Sequence, residues 1–175
     1  MLFQIMGFGQ PMAPFDQRRA EHLKGDFGNS MAVIADAMGL SFDEVEAMGE
    51  LSPTTRDVQI AAGTVPKGTV GAMRITITGK HKGRPIMRFR ANWYCTDQIE
   101  AVDWRLRESG WRINVEGDCP MAVEITYPVS EEEYPRFTPG LTAHRPVNAI
   151  PMVCEAEPGI RTTVDLAQVI PWFEA

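Results

Sequence analysis

The stretch "TVGAMRITITGKHKGRPIMRFRANWY", residues 69–94, sets the architecture of the chain, because two runs of alternating residues flank a turn. Apolar side chains alternate with polar ones from Met73 to Thr78 and again from Met87 to Trp93. Successive side chains of a β-strand point to opposite faces of a sheet, so each run predicts a strand with one apolar and one polar face. The glycines and charged residues of "GKHKGR" between the runs are typical of a turn. The stretch therefore predicts two neighbouring antiparallel strands.

Two further segments, "WRINVEG" (residues 111–117) and "MAVEITY" (residues 121–127), show the same alternation. Four such strands with short connections indicate an antiparallel sheet whose apolar face must be covered by helices. We therefore predict an α+β fold with a largely antiparallel sheet of about four to six strands and helices packed on one face. The other face carries Arg, Thr, Asn and Glu side chains, and it is either solvated or forms a polar interface between subunits.

Three segments have features of helices. The first, Gly28–Met38, is followed by Gly39, which suits the left-handed residue after a helix end. Its side chains are apolar on nearly all sides, which predicts burial against the sheet and against a second partner. In "SFDEVEAMG" Ser41 and Glu44 have the spacing of a capping box, which predicts a short helix. The last helix is predicted to begin with Thr142 as its cap, and the "GIRTTVDL" that follows it is predicted to form a strand or arm.

Length and composition describe an ordinary globular chain. Its 175 residues favour a single domain, residues 1–175, with a core large enough to fold alone. A net charge of -6 and the lack of a basic run argue against nucleic acid and anionic membrane as partners. No apolar run approaches the ~20 residues that span a bilayer, and the start of the chain lacks the features of a signal peptide.

The cysteines and the glycine pattern point to no metal and no nucleotide. Cys95, Cys119 and Cys154 are widely spaced, so we expect three reduced thiols, no bound metal and a cytoplasmic location. The "GFG" of residues 7–9 is the nearest approach to a dinucleotide fingerprint. A Rossmann loop needs a third glycine three residues further on and a helix after it, whereas Pro11 follows here. We therefore expect no nucleotide site at this segment.

Two clusters of polar residues are candidates for substrate binding. In "AHRPVN" His144 and Asn148 are four residues apart and share one helix face. They either form the polar first turn of a helix or line the mouth of a pocket. In "FGNS" Asn29 and Ser30 stand at a predicted helix start, where free N–H groups favour an anion, although capping explains them without a ligand. No acid or base stands out as catalytic.

Three segments resemble the C-terminal half of 2,4-diaminopentanoate dehydrogenase-like proteins, namely "FGNSMAVIADAMGLSFDEVEA", "AAGTVPKGTVGAMRITITGKHKGRPIM" and "TAHRPVNAIPMVCEAEPGIRTTVDL". The resemblance covers nearly the whole chain, and "VNAIP" followed by "PGI" is its most specific motif. Members of that family are NAD(P)-dependent amine dehydrogenases, also described as dihydrodipicolinate reductase-like. Their N-terminal Rossmann half binds the nicotinamide cofactor and carries the acidic residue assigned to catalysis, and this sequence lacks that half.

The resemblance implies the substrate-binding and dimerisation domain of an oxidoreductase that acts on CH–NH2 groups or reduces imines, inactive alone. It implies NAD or NADP in the full-length enzyme and no cofactor bound by this chain alone. The expected partners are a small amine or ketone substrate, the missing Rossmann domain and a second copy in a homodimer. His144 and Asn148 would face the cleft towards the Rossmann domain, with Asn29 and Ser30 across that cleft.

Two alternatives stay open. A dihydrodipicolinate reductase C-terminal domain would carry a His-His pair and a Ser-Gly-Thr before the equivalent helix, whereas Gly28-Asn29-Ser30 stands there and no His-His pair occurs. A stand-alone small-molecule-binding dimerisation module would need no cofactor domain. An in-frame Rossmann-coding segment upstream of Met1 would distinguish a dehydrogenase fragment from such a module.

Overall fold

A three-stranded antiparallel sheet covered by one long helix forms the N-terminal part of the chain. The computed structural model describes residues 6–107, 109–130 and 132–166, and the chain divides into an N-terminal unit (residues 1–106) and a C-terminal unit (residues 107–175). The elements of the N-terminal unit are α1 (Gln17–Ala37), β1 (Glu44–Pro53), β2 (Val58–Ile60), β3 (Gly63–Val65), β4 (Val70–His81), β5 (Arg84–Tyr94) and a 3-10 turn (Val102–Trp104).

The hairpin predicted from residues 69–94 forms the centre and one edge of this sheet. The strand order is β1-β4-β5, and Ile77 of β4 lies between Ala47 of β1 and Phe89 of β5. The turn from β4 to β5 consists of Lys82 and Gly83, which both have positive φ angles, 51° and 71°. Two-residue turns with positive φ match the twist of paired strands. The predicted pairing of the two strands is therefore confirmed, and the positive φ angles of Lys82 and Gly83 allow the tight turn between them.

The predicted capping box of Ser41 and Glu44 is wrong, because this segment leads into β1 and not into a helix. The apolar residues Val45 and Ala47 alternate with acidic ones and pack against the core. The acidic residues lie on the opposite face, where they form ion pairs with Lys80 of β4. Pairing with β4 along the whole strand outweighs a local capping signal.

Helix α1 begins at Gln17, so the predicted start at Gly28 is wrong. Asp16 is the N-cap, and its carboxylate accepts a hydrogen bond from the backbone N–H of Arg18 at 3.2 Å. The predicted end is correct to within one residue, and Gly39 has the expected positive φ of 70°. Asn29 and Ser30, which are suited to cap a first turn, had suggested the later start.

The core of the N-terminal unit lies between α1 and the sheet. Its centre consists of four buried residues, Ala20, Met31, Ile75 and Ile77. Partly buried apolar residues surround them: Phe15, Leu23, Phe27, Phe42, Val45, Ala47, Met87, Phe89 and Trp93. The helix is not covered on all of its apolar sides, because Ile34 and Met38 remain more than half exposed. These two residues are available for the second partner that the sequence predicts.

The C-terminal unit contains β6 (Trp111–Val115), β7 (Met121–Ile125) and α2 (Tyr134–Glu155). Both strands form as predicted, but they pair with each other in a two-stranded sheet of their own. Residues 159–166 form bends and a turn and not a strand. The α+β class with antiparallel sheets is confirmed, and the four predicted strands belong to two sheets instead of one.

Helix α2 begins at Tyr134, so the predicted cap at Thr142 is wrong. Ahead of the helix, the backbone N–H and the hydroxyl of Ser130 donate to the carboxylate of Glu133 at 3.1 and 2.9 Å. These hydrogen bonds hold the pKa of Glu133 below its ordinary value. In return, the hydroxyl accepts from the N–H of Glu133 at 3.3 Å, which is the reciprocal pattern of a capping box.

The side chain of Gln17 attaches the start of α1 to β1. Its Nε2 donates to the carbonyl of Gly49, and its Oε1 accepts from the N–H of Gly49, both at 3.0 Å. Because β1 is an edge strand, these backbone groups have no neighbouring strand on that side. Gln17 therefore takes the place of a neighbouring strand.

We predict that Gln17→Ala lowers the free energy of unfolding by about 1–3 kcal/mol, because it leaves a partly buried donor and acceptor without partners. Urea unfolding followed by circular dichroism measures the change. Asp26→Ala, at an exposed position of the same helix, is the matched control and should change stability by no more than ~0.5 kcal/mol. Equal losses in the two variants would contradict the role of Gln17.

Candidate functional site

Asn29 and Ser30 lie in the middle of α1 and not at a helix start, so the predicted anion-binding geometry is wrong. The Ser30 hydroxyl donates to the backbone carbonyl of Asp26 at 3.3 Å, as serine does within helices. Asn29 lines a groove of about 410 Å³ between α1 and the segment that leads into β1; we call it the Asn29 groove. The other lining residues are Lys24, Gly25, Gly28, Ala32, Asp36, Ser41, Phe42 and Val45.

His144 and Asn148 lie one turn apart in the middle of α2, at exposed positions. The imidazole of His144 lies over Gly140, where a Cβ would come within 2.8 Å of its Cε1. The two side chains share one face, as the sequence predicts. The structure thus brings together each pair of predicted site residues, Asn29 with Ser30 and His144 with Asn148, within its own unit.

A second and larger groove, of about 620 Å³, lies on the other flank of α1, and sequence reasoning missed it. We call it the Trp93 groove. Its sheet side is apolar and consists of Met73, Ile75 and Trp93. Met6 and the first turns of α1 supply the remaining lining residues, Asp16, Arg18, Arg19, His22 and Leu23. The alternation of the sequence places Met73, Ile75 and Trp93 on the apolar face of the sheet. The other side of the groove is formed by the first turns of α1, which the predicted helix start at Gly28 left out.

The charged residues of the Trp93 groove are held in defined positions. The guanidinium of Arg18 donates to both oxygens of Asp16, at 2.9 and 2.8 Å. This pairing lowers the pKa of the Asp16 carboxyl and raises the pKa of Arg18. The guanidinium of Arg19 lies 5.9 Å from the ring centroid of Phe15, within the range of a cation–π contact. The groove therefore combines an apolar floor with two guanidinium groups and one carboxylate.

On the face of the sheet opposite α1, Arg74 is buried and fixes the 3-10 turn. Its guanidinium donates to Oδ1 of Asn92 at 2.9 Å and to the carbonyl of Trp104 at 3.0 Å. It also lies 4.4 Å from the centroid of the Trp104 ring. Burial, and then the neighbouring charge of Arg90, lower the pKa of Arg74. One end of the polar face is therefore covered from within the same unit.

The "GFG" segment is a turn that pairs with the start of β4. Gly7 and Gly9 have φ angles of 79° and 75°, and the N–H of Gly9 donates to the carbonyl of Val70 at 2.8 Å. The N–H of Val70 in turn donates to the carbonyl of Gln10 at 3.0 Å. The positive φ angles of the glycines suit this turn, and the N–H of Gly9 is used in pairing with β4.

Neither a metal centre nor a membrane-spanning helix is found in residues 6–107, 109–130 and 132–166. No group of three or more His, Cys, Asp or Glu side chains in these ranges could hold a metal ion. No helix in them is long and apolar enough to cross a bilayer. In the described part of the chain, the grooves beside α1 and the exposed face of α2 are the candidate sites.

A family model for the 2,4-diaminopentanoate dehydrogenase C-terminal domain matches residues 16–173. The chain belongs to this family. The resemblance seen in the sequence is therefore confirmed. No curated protein matches this chain.

The fold of the domain is similar to that of a solved amine dehydrogenase from Mycobacterium smegmatis. The two share 20% sequence identity with a TM-score of 0.65 over 98% of this chain and 47% of that chain. The chain thus spans about half the length of that amine dehydrogenase. At this identity the match shows a shared fold.

The three thiols of the domain differ in exposure, and this difference bears on whether one could act as a nucleophile. All three are free; Cys119 and Cys154 are exposed, while Cys95 is partly buried. Burial raises the pKa of the Cys95 thiol, whose sulfur lies 3.4 Å from the carbonyl of Gly71. The thiolate is the reactive form, so a raised pKa disfavours Cys95 as a nucleophile.

We predict that a thiol reagent at neutral pH modifies two cysteines rapidly and Cys95 slowly, with the Cys95 rate rising as the pH is increased. Absorbance of the released chromophore measures the rates. The double variant Cys119→Ser/Cys154→Ser should retain only the slow phase, and urea should convert that phase into a fast one. A fast single phase in the native double variant would contradict this assignment.

Proposed function

We propose that this chain is the substrate-binding and dimerisation domain of an NAD(P)-dependent amine dehydrogenase and has no activity alone. The observation that carries the proposal is the family match over residues 16–173. The amine dehydrogenase fold match supports it, because the chain covers 98% of its own length but 47% of that enzyme. The remaining part of such an enzyme would be a Rossmann domain that binds the cofactor.

The described residues of this chain do not fit a dinucleotide. The N–H of Gly9 is used in pairing with β4, and the N-terminus of α1 already holds the carboxylate of Asp16. We therefore place the nicotinamide cofactor, which would exchange a hydride with the substrate carbon, on the Rossmann domain. The contribution of this chain is to bind the amine or ketone and to exclude water from it.

The Trp93 groove is the part of the N-terminal unit that best suits a small amine or ketone. Its volume of about 620 Å³ lies within the range of ligand pockets, which are mostly apolar with a few polar groups. Met73 and Trp93 would contact the carbon skeleton, and His22 could hydrogen-bond an amine or carbonyl group. We retain Asn29, Ser30, His144 and Asn148 as further substrate-binding candidates. Ser30 is the weakest of them, because its hydroxyl is already used within α1.

We infer a homodimer in the cytoplasm. The three free thiols support an intracellular location, because disulfides form mainly in oxidising compartments. Exposed apolar side chains on both units support association with another protein surface.

A titration with NADH and NADPH tests the division of labour between the domains. We predict no saturable binding by this chain up to ~1 mM, the upper end of ordinary KM values. Nicotinamide fluorescence measures it, with a complete amine dehydrogenase of the family as positive control. Saturable binding by this chain would place a nucleotide site within it and overturn the proposal.

Substitutions in the dehydrogenase that contains this chain test the substrate site. We predict that Trp93→Ala raises the KM for the ketone about tenfold or more, because a large apolar contact is lost. Ile86→Ala, at an exposed position of the same strand, is the matched control. Steady-state oxidation of NADH or NADPH with ketone and ammonia measures both. An unchanged KM in the folded Trp93→Ala variant would exclude this groove.

The α2 candidates need their own comparison. We predict that His144→Ala or Asn148→Ala raises the same KM, while Thr142→Ala, exposed on another side of the helix, leaves it unchanged. Equal effects from all three substitutions would indicate damage to α2 and not loss of a substrate contact.

A further inference from the structure

The β6–β7 hairpin presents a continuous apolar face to solvent. Three cross-strand pairs form it: Trp111 with Ile125, Ile113 with Val123, and Val115 with Met121. Five of the six side chains are exposed by 39% to 54% of their surface. The arrangement is regular, because every residue on this face of both strands is apolar. We call it the hairpin face.

The opposite side of the hairpin carries the charges, and they are paired with each other. Glu124 accepts ion pairs from Arg107 at 2.8 Å and from Arg112 at 2.7 Å. These two partners lower the pKa of the Glu124 carboxyl. The remaining pair on that side is Asn114 with Ala122. No ionisable side chain therefore projects from the hairpin face.

One end of the hairpin face is anchored within the C-terminal unit. The ring of Trp111 meets Tyr127 edge-on at 5.6 Å between centroids, and Tyr127 contacts Phe137 of α2 at 5.0 Å. At the other end, Val115 and Met121 are exposed by 42% and 54% of their surface. A two-stranded sheet alone is only marginally stable, so this face needs a covering surface.

We propose that the hairpin face packs against the same face of a second copy of this chain, related by a two-fold axis. This inference rests on the homodimer of the proposed function and assigns its contact surface. Each copy carries a net charge of -6, so two copies repel each other overall, and a contact adds least to this repulsion where the surfaces that meet carry no charge. The hairpin face meets this condition, whereas the sheet face of β1 and β5 displays Glu46 and Arg90.

The size of the hairpin face fits the centre of an interface. Its exposed side chains offer on the order of 450 Å² per copy, against roughly 800 Å² per partner in a standard interface. Interfaces have an apolar, fully buried centre and a polar rim, so surrounding residues would supply the remainder. In a symmetric contact each Ile113 would lie near the two-fold axis, because its pair with Val123 is the middle one of the three.

Two lysine substitutions on adjacent residues of β6 test the proposal. Ile113→Lys puts a charge on the hairpin face, and Asn114→Lys puts the same charge on the opposite face. Light scattering coupled to gel filtration, over a range of concentrations, measures the mass. We expect a dimer for the unsubstituted chain and for Asn114→Lys, and a folded monomer for Ile113→Lys, with circular dichroism confirming the fold.

The outcomes separate this surface from the wider proposal. A folded Ile113→Lys variant that stays dimeric would overturn the hairpin face while leaving the homodimer intact. A monomeric unsubstituted chain at every concentration would overturn both the surface and the homodimer, but not the substrate groove. If Ile113→Lys does not fold, Ile113→Ser is measured instead, and a dimer as tight as that of the unsubstituted chain overturns the proposal.

Discussion

Strand β4 lies between two neighbouring strands and is buried on both faces over residues 70–77, and the architecture of the N-terminal unit depends on how each face is covered. On one face Ile75 and Ile77 are fully buried beneath α1. On the other face Arg74 and Thr76 are almost as deeply buried, although both are polar. A buried guanidinium is tolerated only when its N–H groups find partners, and the carbonyl of Trp104 is one of them. The segment that contains Trp104 is therefore held on the sheet by the need to satisfy Arg74.

The grooves beside α1 arise from the way the helix meets this sheet. Two strand glycines, Gly49 and Gly79, leave room for the rings of Phe15 and Phe42, which a side chain at either position would meet. Glycine weakens a strand, so its presence at these positions reflects the close approach of the rings. Phe42 lines the Asn29 groove, and Phe15 lies beneath Arg19 of the Trp93 groove. The ring of Phe42, which rests on Gly79, thus bounds the Asn29 groove, and the ring of Phe15, which rests on Gly49, packs directly ahead of α1.

Sequence reasoning succeeded where periodicity was strong and failed where a short motif competed with it. The alternation of residues 69–94 predicted β4, β5 and their turn, because pairing along ten residues gives a repeated signal. The chain contains two Ser-x-x-Glu spacings, and only one is a capping box. Ser130 and Glu133 form the reciprocal hydrogen bonds in the turn ahead of α2, whereas Ser41 and Glu44 lead into a strand whose alternation should have outweighed the motif. The prediction of the candidate site also relied on a short motif. Asn29 was singled out because it was predicted to stand at a helix start, but it lies inside α1, and the Trp93 groove depends on contacts distant in sequence.

The chemistry of the two helix N-termini explains why the described residues suit an organic substrate better than a phosphate. A helix N-terminus attracts anions through its free N–H groups and its dipole. At α1 this position is taken by the carboxylate of Asp16. At α2 the N-cap residue is Glu133, whose carboxylate accepts from Ser130 ahead of the helix. A phosphate at either end would meet a negative charge that is already in place. The apolar floor formed by Met73 and Trp93 has no such competitor. The family membership of the chain and the distribution of its charges therefore both support the proposal that the substrate binds to this domain and the dinucleotide to another.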